Sequence, residues 1–111
     1  MGEFVVSTRK NGEFQFVLKA DNGQVILSSE GYKAKASCLN GIESVKKHSQ
    51  HQENFEQKTA ANGKFHFNLK ASNGQVIGSS QMYESEAGMK NGLASVLKNS
   101  HNAKVTDDSA A

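Results

Sequence analysis

The chain has 111 residues, no proline, a single cysteine and no long apolar run, and the last two features exclude whole classes of structure. With Cys38 as the only cysteine, an internal disulfide is excluded, and a lone thiol of this kind is most often a small buried apolar residue. No apolar stretch approaches the roughly 20 residues that a transmembrane helix needs. The N-terminal segment carries charges where a signal peptide would be apolar. We therefore expect a soluble, cytoplasmic protein with no membrane partner.

The charge balance is mild. Lysine and arginine number 13 and acidic residues 11, which gives a formal net charge of +2, and both signs are spread along the chain. An excess this small does not by itself indicate a nucleic-acid partner. Nucleic-acid binding is therefore an alternative that would be weak and non-specific.

The most informative feature that is present is a repeat. Residues 11–49 and 62–100 align at a constant offset of 51 without a gap, and about 22 of the 39 aligned positions are identical. The chain is therefore one folding unit that has been duplicated and fused, with repeat 1 at 1–51 and repeat 2 at 52–106. These form a single compact domain at 1–106, and residues 107–111 are expected to be a flexible tail.

Each repeat begins with signals for three antiparallel strands. Four Asn-Gly pairs favour type I′ hairpin turns, in which both central residues have positive φ; the pairs stand at 11–12, 22–23, 62–63 and 73–74. Between the turns, apolar and polar residues alternate, which is typical of a strand with one buried face. The buried positions would be Phe14, Phe16, Phe65 and Phe67. Shorter strands are predicted at about 3–8, 24–29, 53–58 and 75–80.

Each repeat then changes to a helical period, at 35–48 and at 85–99. The apolar faces of the two predicted helices are Cys38, Ile42 and Val45, and Met89, Leu93 and Val96. Ser85 is a favourable N-cap residue for the second helix. Gly41 and Gly92 lie inside the helices at the edge of these faces, where glycine costs about 1 kcal/mol relative to alanine. Their presence in both repeats indicates a close contact between helix and sheet.

One repeat of about 50 residues is marginal alone, but two can share a sheet. We predict an α+β fold in which two tandem β-β-β-α(-β) units share one antiparallel sheet with two helices on one face. The segment Ala103–Thr106 is expected to add an edge strand after the second helix. Because the repeat supplies internally what two subunits would otherwise supply, we expect a monomer that mimics a homodimer.

The motif NGxFxFxLKAxNGQVIxSS, followed by Tyr32 or Tyr83 and then by NG[IL]xSVxK, resembles the YegP-like family of small uncharacterised bacterial proteins. The resemblance covers nearly the whole chain. It implies a β-β-β-α-β unit, a single sheet with exchanged C-terminal strands, and no established activity. The repeats depart from each other where Gly78 replaces Leu27 and Met82 replaces Gly31, and both changes are interpreted as packing adjustments.

Comparison of the repeats offers little catalytic chemistry. No acidic residue and no histidine is identical between them, although carboxylates and histidines are the usual general acids and bases. Serine and tyrosine recur at the strand-to-helix connections, as Ser29 with Tyr32 and Ser80 with Tyr83, but they would need activation by a base or by burial. His48 and His51 lack two further ligands at zinc spacing. We therefore expect no enzyme, no metal and no cofactor, and keep an enzyme at the Ser-Tyr connections as the less favoured alternative.

The face of the sheet opposite the helices is the candidate binding surface. By alternation it carries Gln15, Lys19, His66, Asn68 and Lys70. The favoured function is a small non-catalytic binding or interaction module that uses this face or the pseudo-two-fold groove, with a protein or a small ligand as partner. The alternative is weak nucleic-acid binding through the repeated lysines Lys19, Lys70, Lys47 and Lys98, although stacking aromatics are not expected on this face.

Overall fold

The computed structural model of the chain describes residues 2–109. Within these residues, seven strands and two α-helices follow one another in the predicted order: β1 Glu3–Thr8, β2 Phe14–Lys19, β3 Val25–Ser28, α1 Lys35–His48, a 3₁₀ turn Gln52–Asn54, β4 Phe55–Thr59, β5 Phe65–Lys70, β6 Val76–Ser79, α2 Glu86–Asn99 and β7 Lys104–Asp107. The strands form one sheet in the order β4-β5-β6-β3-β2-β1-β7. Neighbouring strands are antiparallel except β7, which runs parallel to β1. The predicted α+β fold is confirmed, with this one parallel pair as the difference.

The alternation in the strands separates a core face from an open face. Phe4 and Val6 on β1, Phe16 and Leu18 on β2, and Phe67 and Leu69 on β5 are buried beneath the helices. The predicted burial is confirmed for Phe16 and Phe67, which are fully buried. It is only partly right for Phe14 and Phe65, which are partly exposed and pack at the margin of the core. Both of these residues lie at the start of a strand, where the sheet ends.

The hairpins differ from the predicted type I′ turns. Positive φ is confined to the glycines Gly12, Gly23, Gly63 and Gly74, and no described residue other than glycine adopts it. In each loop the preceding asparagine accepts a hydrogen bond through Oδ1 from the backbone N–H two residues on, as Asn22 does from Gln24 at 3.0 Å. The loops are therefore three-residue turns that end in a left-handed glycine.

Each helix packs across both repeats. The helix α1 contacts β2 of its own half and β5 and β6 of the other, while α2 contacts β5 of its own half and β3 of the other. The predicted apolar faces of both helices are buried, and Ser85 caps α2 by accepting a hydrogen bond from the Gly88 N–H at 3.0 Å. Because the helices bridge the halves, the chain has one continuous core.

The two halves meet at a pseudo-two-fold axis, where strands β3 and β6 share very little backbone pairing. Only Ser28 and Ser79 stand opposite each other between β3 and β6. Beneath them, a Cβ added to Gly78 would lie 2.8 Å from Leu27 Cδ2, so the leucine fills the space that the glycine leaves. At the helix ends the hydroxyl groups of Ser49 and Ser100, which are equivalent and fully buried, form a short hydrogen bond.

The last strand reaches beyond the predicted boundary at residue 106. It ends at Asp107, whose carboxylate accepts a hydrogen bond from Lys35 Nζ of α1 at 2.8 Å. This bond is the main reason why the pKa of Asp107 is lowered to about 2. Asp108 N–H donates to the Val6 carbonyl at 2.7 Å, and Ser109 is buried. Of the predicted tail at 107–111, residues 110 and 111 lie outside the described residues.

The junction between Leu27 and Gly78 can be tested by exchanging its two residues. Gly78→Leu should destabilise the fold by about 1–3 kcal/mol through overpacking, and Leu27→Gly by about 2–5 kcal/mol through loss of a buried side chain. The double exchange Leu27→Gly/Gly78→Leu again places one leucine on the axis, so it should restore most of the free energy of unfolding measured in denaturant. A double variant that loses the full sum of the two single effects would show that the positions do not share one space.

Candidate binding surfaces

The open face of the sheet carries two valines in the first half at positions where the second half carries polar residues. A row of opposed residues crosses it from β7 to β4: Thr106, Val5, Val17, Ser28, Ser79, Asn68 and Glu56. The two valines of the first repeat correspond to Glu56 and Asn68 in the second. The repeats therefore differ in polarity at these two positions of the face, although Ser28 and Ser79 in the same row are identical.

The five predicted surface residues share this face but form two groups. Gln15 and Lys19 lie on β2, and His66, Asn68 and Lys70 lie on β5, with β3 and β6 between them. Three strand spacings amount to about 14 Å, and because β2 and β5 are antiparallel the two lysines point toward opposite ends of the sheet, about 20 Å apart. They do not form one cationic patch.

The polar side chains on this face are largely paired with each other. Lys70 Nζ donates to Glu56 Oε2 at 3.1 Å, which is the main cause of the lowered pKa of Glu56, and Lys58 lies 3.6 Å from the same carboxylate. Asn68 accepts a hydrogen bond from the Ser79 hydroxyl at 2.8 Å, and Gln15 accepts one from Arg9 Nε at 2.7 Å. In the register of the sheet, Lys19 stands opposite Glu3. The face therefore has mixed charge.

The serines at the strand-to-helix connections hold backbone. Ser29 Oγ accepts a hydrogen bond from the Phe16 N–H at 2.9 Å and donates one to the Glu30 carbonyl at 2.8 Å. Ser80 repeats this arrangement with Phe67 and Gln81. Both hydroxyl groups thus brace a turn, and a nucleophile would need a base in the place of these backbone partners.

The tyrosines that follow explain the helical glycines. A Cβ at Gly41 would lie 2.6 Å from the Tyr32 hydroxyl oxygen and 3.0 Å from Phe16, and Gly92 is covered in the same way by Tyr83. The close contact predicted for these glycines is thus made chiefly by the tyrosine rings lying over the helices. Burial raises the pKa of both tyrosines, so their hydroxyl groups are neutral at physiological pH.

The histidines do not come together. His48 ends α1, where its Nδ1 contacts the Ser44 carbonyl at 2.9 Å and its Nε2 accepts a hydrogen bond from the Ser72 N–H at 3.2 Å, while His51 is exposed in the following turn. Within residues 2–109, no group of three or more histidine, cysteine, aspartate or glutamate side chains is arranged to hold a metal ion. In the same range no helix has both the length and the apolar content to cross a bilayer.

Comparison with known proteins places the chain. The model of a domain of unknown function, DUF1508, matches residues 10–56 and again residues 60–107, once in each repeat. The chain belongs to the DUF1508 family. It is 52% identical over 106 residues to the UPF0339 protein in the ptx operon 5′ region of Stutzerimonas stutzeri, with 96% of both chains covered. It is 50% identical over 107 residues to the UPF0339 protein YegP of Escherichia coli K12, covering 96% of this chain and 97% of YegP.

Two solved structures share the fold of this DUF1508 chain. The solution NMR structure of yegP from E. coli, described as a protein of unknown function, matches with a TM-score of 0.94 at 48% identity, covering 99% of this chain and 95% of that one. The solution NMR structure of the UPF0339 protein SO3888 from Shewanella oneidensis matches with a TM-score of 0.91 at 46% identity, covering 96% and 90%. The predicted family, tandem repeat and fold are confirmed, and the function of the family is not established.

The edges of the sheet break the DUF1508 repeat symmetry in a way that sequence reasoning missed. The strand β7 covers the outer edge of β1, but the segment after α1 leads through the 3₁₀ turn straight into β4, so the described residues contain only one of the two exchanged strands implied by the family. Within residues 2–109 the outer edge of β4 has no strand beside it. The signal was present in the sequence, since Val5, Val6 and Ser7 of β1 become Glu56, Gln57 and Lys58 in β4.

A groove lies between the bare edge of β4 and α2. One part has a volume of about 320 Å³ and is lined by Gln52, Gln57, Lys90, Leu93, Ala94 and Leu97. The adjoining part has a volume of about 220 Å³ and is lined by Gln57, Lys58, Thr59, Phe65, Glu86 and Met89. In the first half the corresponding region is closed by β7 and the buried Ser109. The groove therefore offers backbone hydrogen-bonding groups along one wall and, along the other, helix side chains that are apolar except for Glu86 and Lys90.

The open face should bind nucleic acid weakly at most, because Lys70 is paired with Glu56 and Lys19 lies far from Lys70. We expect a Kd of about 10⁻⁴ M or weaker at physiological salt. Fluorescence anisotropy with single-stranded and duplex oligonucleotides measures this, with Lys47→Ala/Lys98→Ala at the helix ends as the matched control for Lys19→Ala/Lys70→Ala. Micromolar binding that Lys19→Ala/Lys70→Ala abolishes and Lys47→Ala/Lys98→Ala does not would contradict the expectation.

Proposed function

We propose that this chain is a non-catalytic protein-binding module that adds an extended segment of a partner protein to the outer edge of β4. The observation that carries the proposal is the outer edge of β4, which no strand of the described part of the chain covers, at the position where the other half of the sheet holds β7. An unpaired strand edge presents a row of N–H and C=O groups, and strand addition uses such a row for affinity and neighbouring pockets for specificity. The groove against α2 supplies the pockets.

The absence of catalysis is part of the proposal. The hydroxyl groups of Ser29 and Ser80 are engaged by backbone, and the raised pKa values of Tyr32 and Tyr83 disfavour the phenolates that a base or nucleophile would need. These residues are better explained by their role in supporting the start of each helix.

The proposed assembly is a cytoplasmic monomer in which residues 1–51 and 52–106 form one domain. Each helix packs against strands of both halves, so neither repeat can bury its own core alone. Of the five open-face residues, we propose that His66, Asn68 and Lys70 flank the binding edge, since β5 is the neighbour of β4. Gln15 and Lys19 lie in the first half and would not touch the bound segment.

Selection of peptides against the full chain tests this function. Decapeptides from a random display library are enriched on the folded protein, and the binders are mapped by amide chemical-shift changes in the NMR spectrum. The largest changes are expected along Phe55–Thr59 and on the groove side of α2. Gln57→Pro removes an N–H from the bare edge, where proline is tolerated, and should weaken binding about tenfold or more.

The matched control is Gln15→Ala, in the first half of the open face, which should leave the affinity unchanged. Thermal melting confirms that both variants are folded. Binders that map to β2, or whose affinity survives Gln57→Pro, would refute the assignment of the edge.

A further inference from the structure

We infer that the segment accepted by β4 runs parallel to that strand and carries an apolar residue followed, two positions later, by lysine or arginine. This inference rests on the proposed function and specifies its ligand. The template is β7, which occupies the equivalent edge of β1 and pairs with it in parallel, with Val105 opposite Phe4 and Asp107 opposite Val6. Opposed residues point to the same face, so Val105 and Asp107 both lie on the helix side.

The cation follows from a charge reversal between the repeats. On the template edge, Asp107 meets Lys35 at the start of α1, with Nζ and Oδ2 separated by 2.8 Å. The residue equivalent to Lys35 in the second repeat is Glu86, which lines the groove beside β4. A segment seated like β7 would therefore bring its own residue at the Asp107 position to a carboxylate, and a lysine or arginine satisfies it.

The carboxylate of Glu86 is available for such a partner. Its described contact is with Lys90 Nζ at 3.6 Å, one helical turn on, and both side chains are about 60% exposed. Exposed pairs of this kind contribute little, so exchanging Lys90 for a cation held in the groove costs little.

The apolar residue follows from the wider part of the groove. The residue of the segment that corresponds to Val105 would lie over the part lined by Leu93 and Leu97. A volume of about 320 Å³ accommodates an aliphatic side chain. Leu97 is only partly buried, and covering it would remove apolar surface from water.

The same argument disfavours a second copy of this chain as the occupant. Its C-terminal strand would place Asp107 against Glu86, and like charges so placed disfavour the pairing. The charge reversal thus selects a foreign basic segment and works against chains adding their β7 strands to one another, in keeping with the proposed monomer.

The test uses two peptides that span residues 102–109, one with the natural sequence and one with Asp107→Lys. Each is titrated at millimolar concentration into the isotope-labelled full chain, and shifts of the β4 amides report binding. The Asp107→Lys peptide should bind at least about fivefold more tightly, since an attraction replaces a repulsion. Glu86→Lys in the protein should reverse the preference.

The matched control is Glu84→Lys, because Glu84 is 3.2 Å from Lys64 and does not line the groove. It should leave the preference of the two peptides unchanged. A nitroxide on the peptide N-terminus should broaden the amides near Phe55 more than those near Thr59, as a parallel segment requires. Thermal melting verifies that each variant is folded.

The outcomes separate the inference from the function beneath it. If library peptides shift β4 while the two designed peptides bind equally, the charge rule is wrong and the proposed edge stands. If the label broadens Thr59 first, the parallel orientation is wrong. If no peptide of either kind shifts β4, both the inference and the proposed function fail.

Discussion

Two equivalent leucines cannot occupy the same place on a two-fold axis, and the way this chain resolves that conflict holds the two repeats together. Leu27 extends over Gly78, its own counterpart, beneath a sheet joint where only Ser28 and Ser79 are opposed. The joint therefore depends on side-chain packing more than on the backbone ladder. The two halves are also held together by the helices, each of which packs on both halves, and by the buried hydrogen bond between Ser49 and Ser100.

A second conflict follows from fusing the repeats into one chain. Each unit ends in a helix, and the segment after it can either cover the edge of the partner unit or continue into the next unit. After α2 it covers the edge, as β7; after α1 it continues into β4. Among residues 2–109, fusion therefore leaves one edge of the sheet without a covering strand, and the proposed function assigns that edge to a partner.

The sequence predicted the features that follow from periodicity within one element, and it failed for features that depend on contacts between distant segments. Alternation identified Phe16 and Phe67 as core, and helical spacing gave α1 its bounds, because both patterns are read within one element. The prediction of type I′ turns was wrong because each asparagine caps its loop through its side chain while its backbone stays outside the left-handed region. Alternation also put Lys70 on the open face, but its pairing with Glu56 and the bare edge of β4 depend on strand neighbours that no local pattern specifies.

Amide hydrogen exchange at Val6 and Gln57 tests the account most directly, because these residues occupy equivalent positions in the two repeats and only Val6 has a described strand on its outer side. The Val6 carbonyl accepts a hydrogen bond from the Asp108 N–H, and in a parallel ladder the Val6 N–H donates to the same strand. The Gln57 N–H faces the edge of β4, which has no strand beside it within residues 2–109. The account predicts that Gln57 exchanges about 100-fold faster than Val6 or more. Equal protection of the two amides would show that the edge of β4 is already covered and would contradict it.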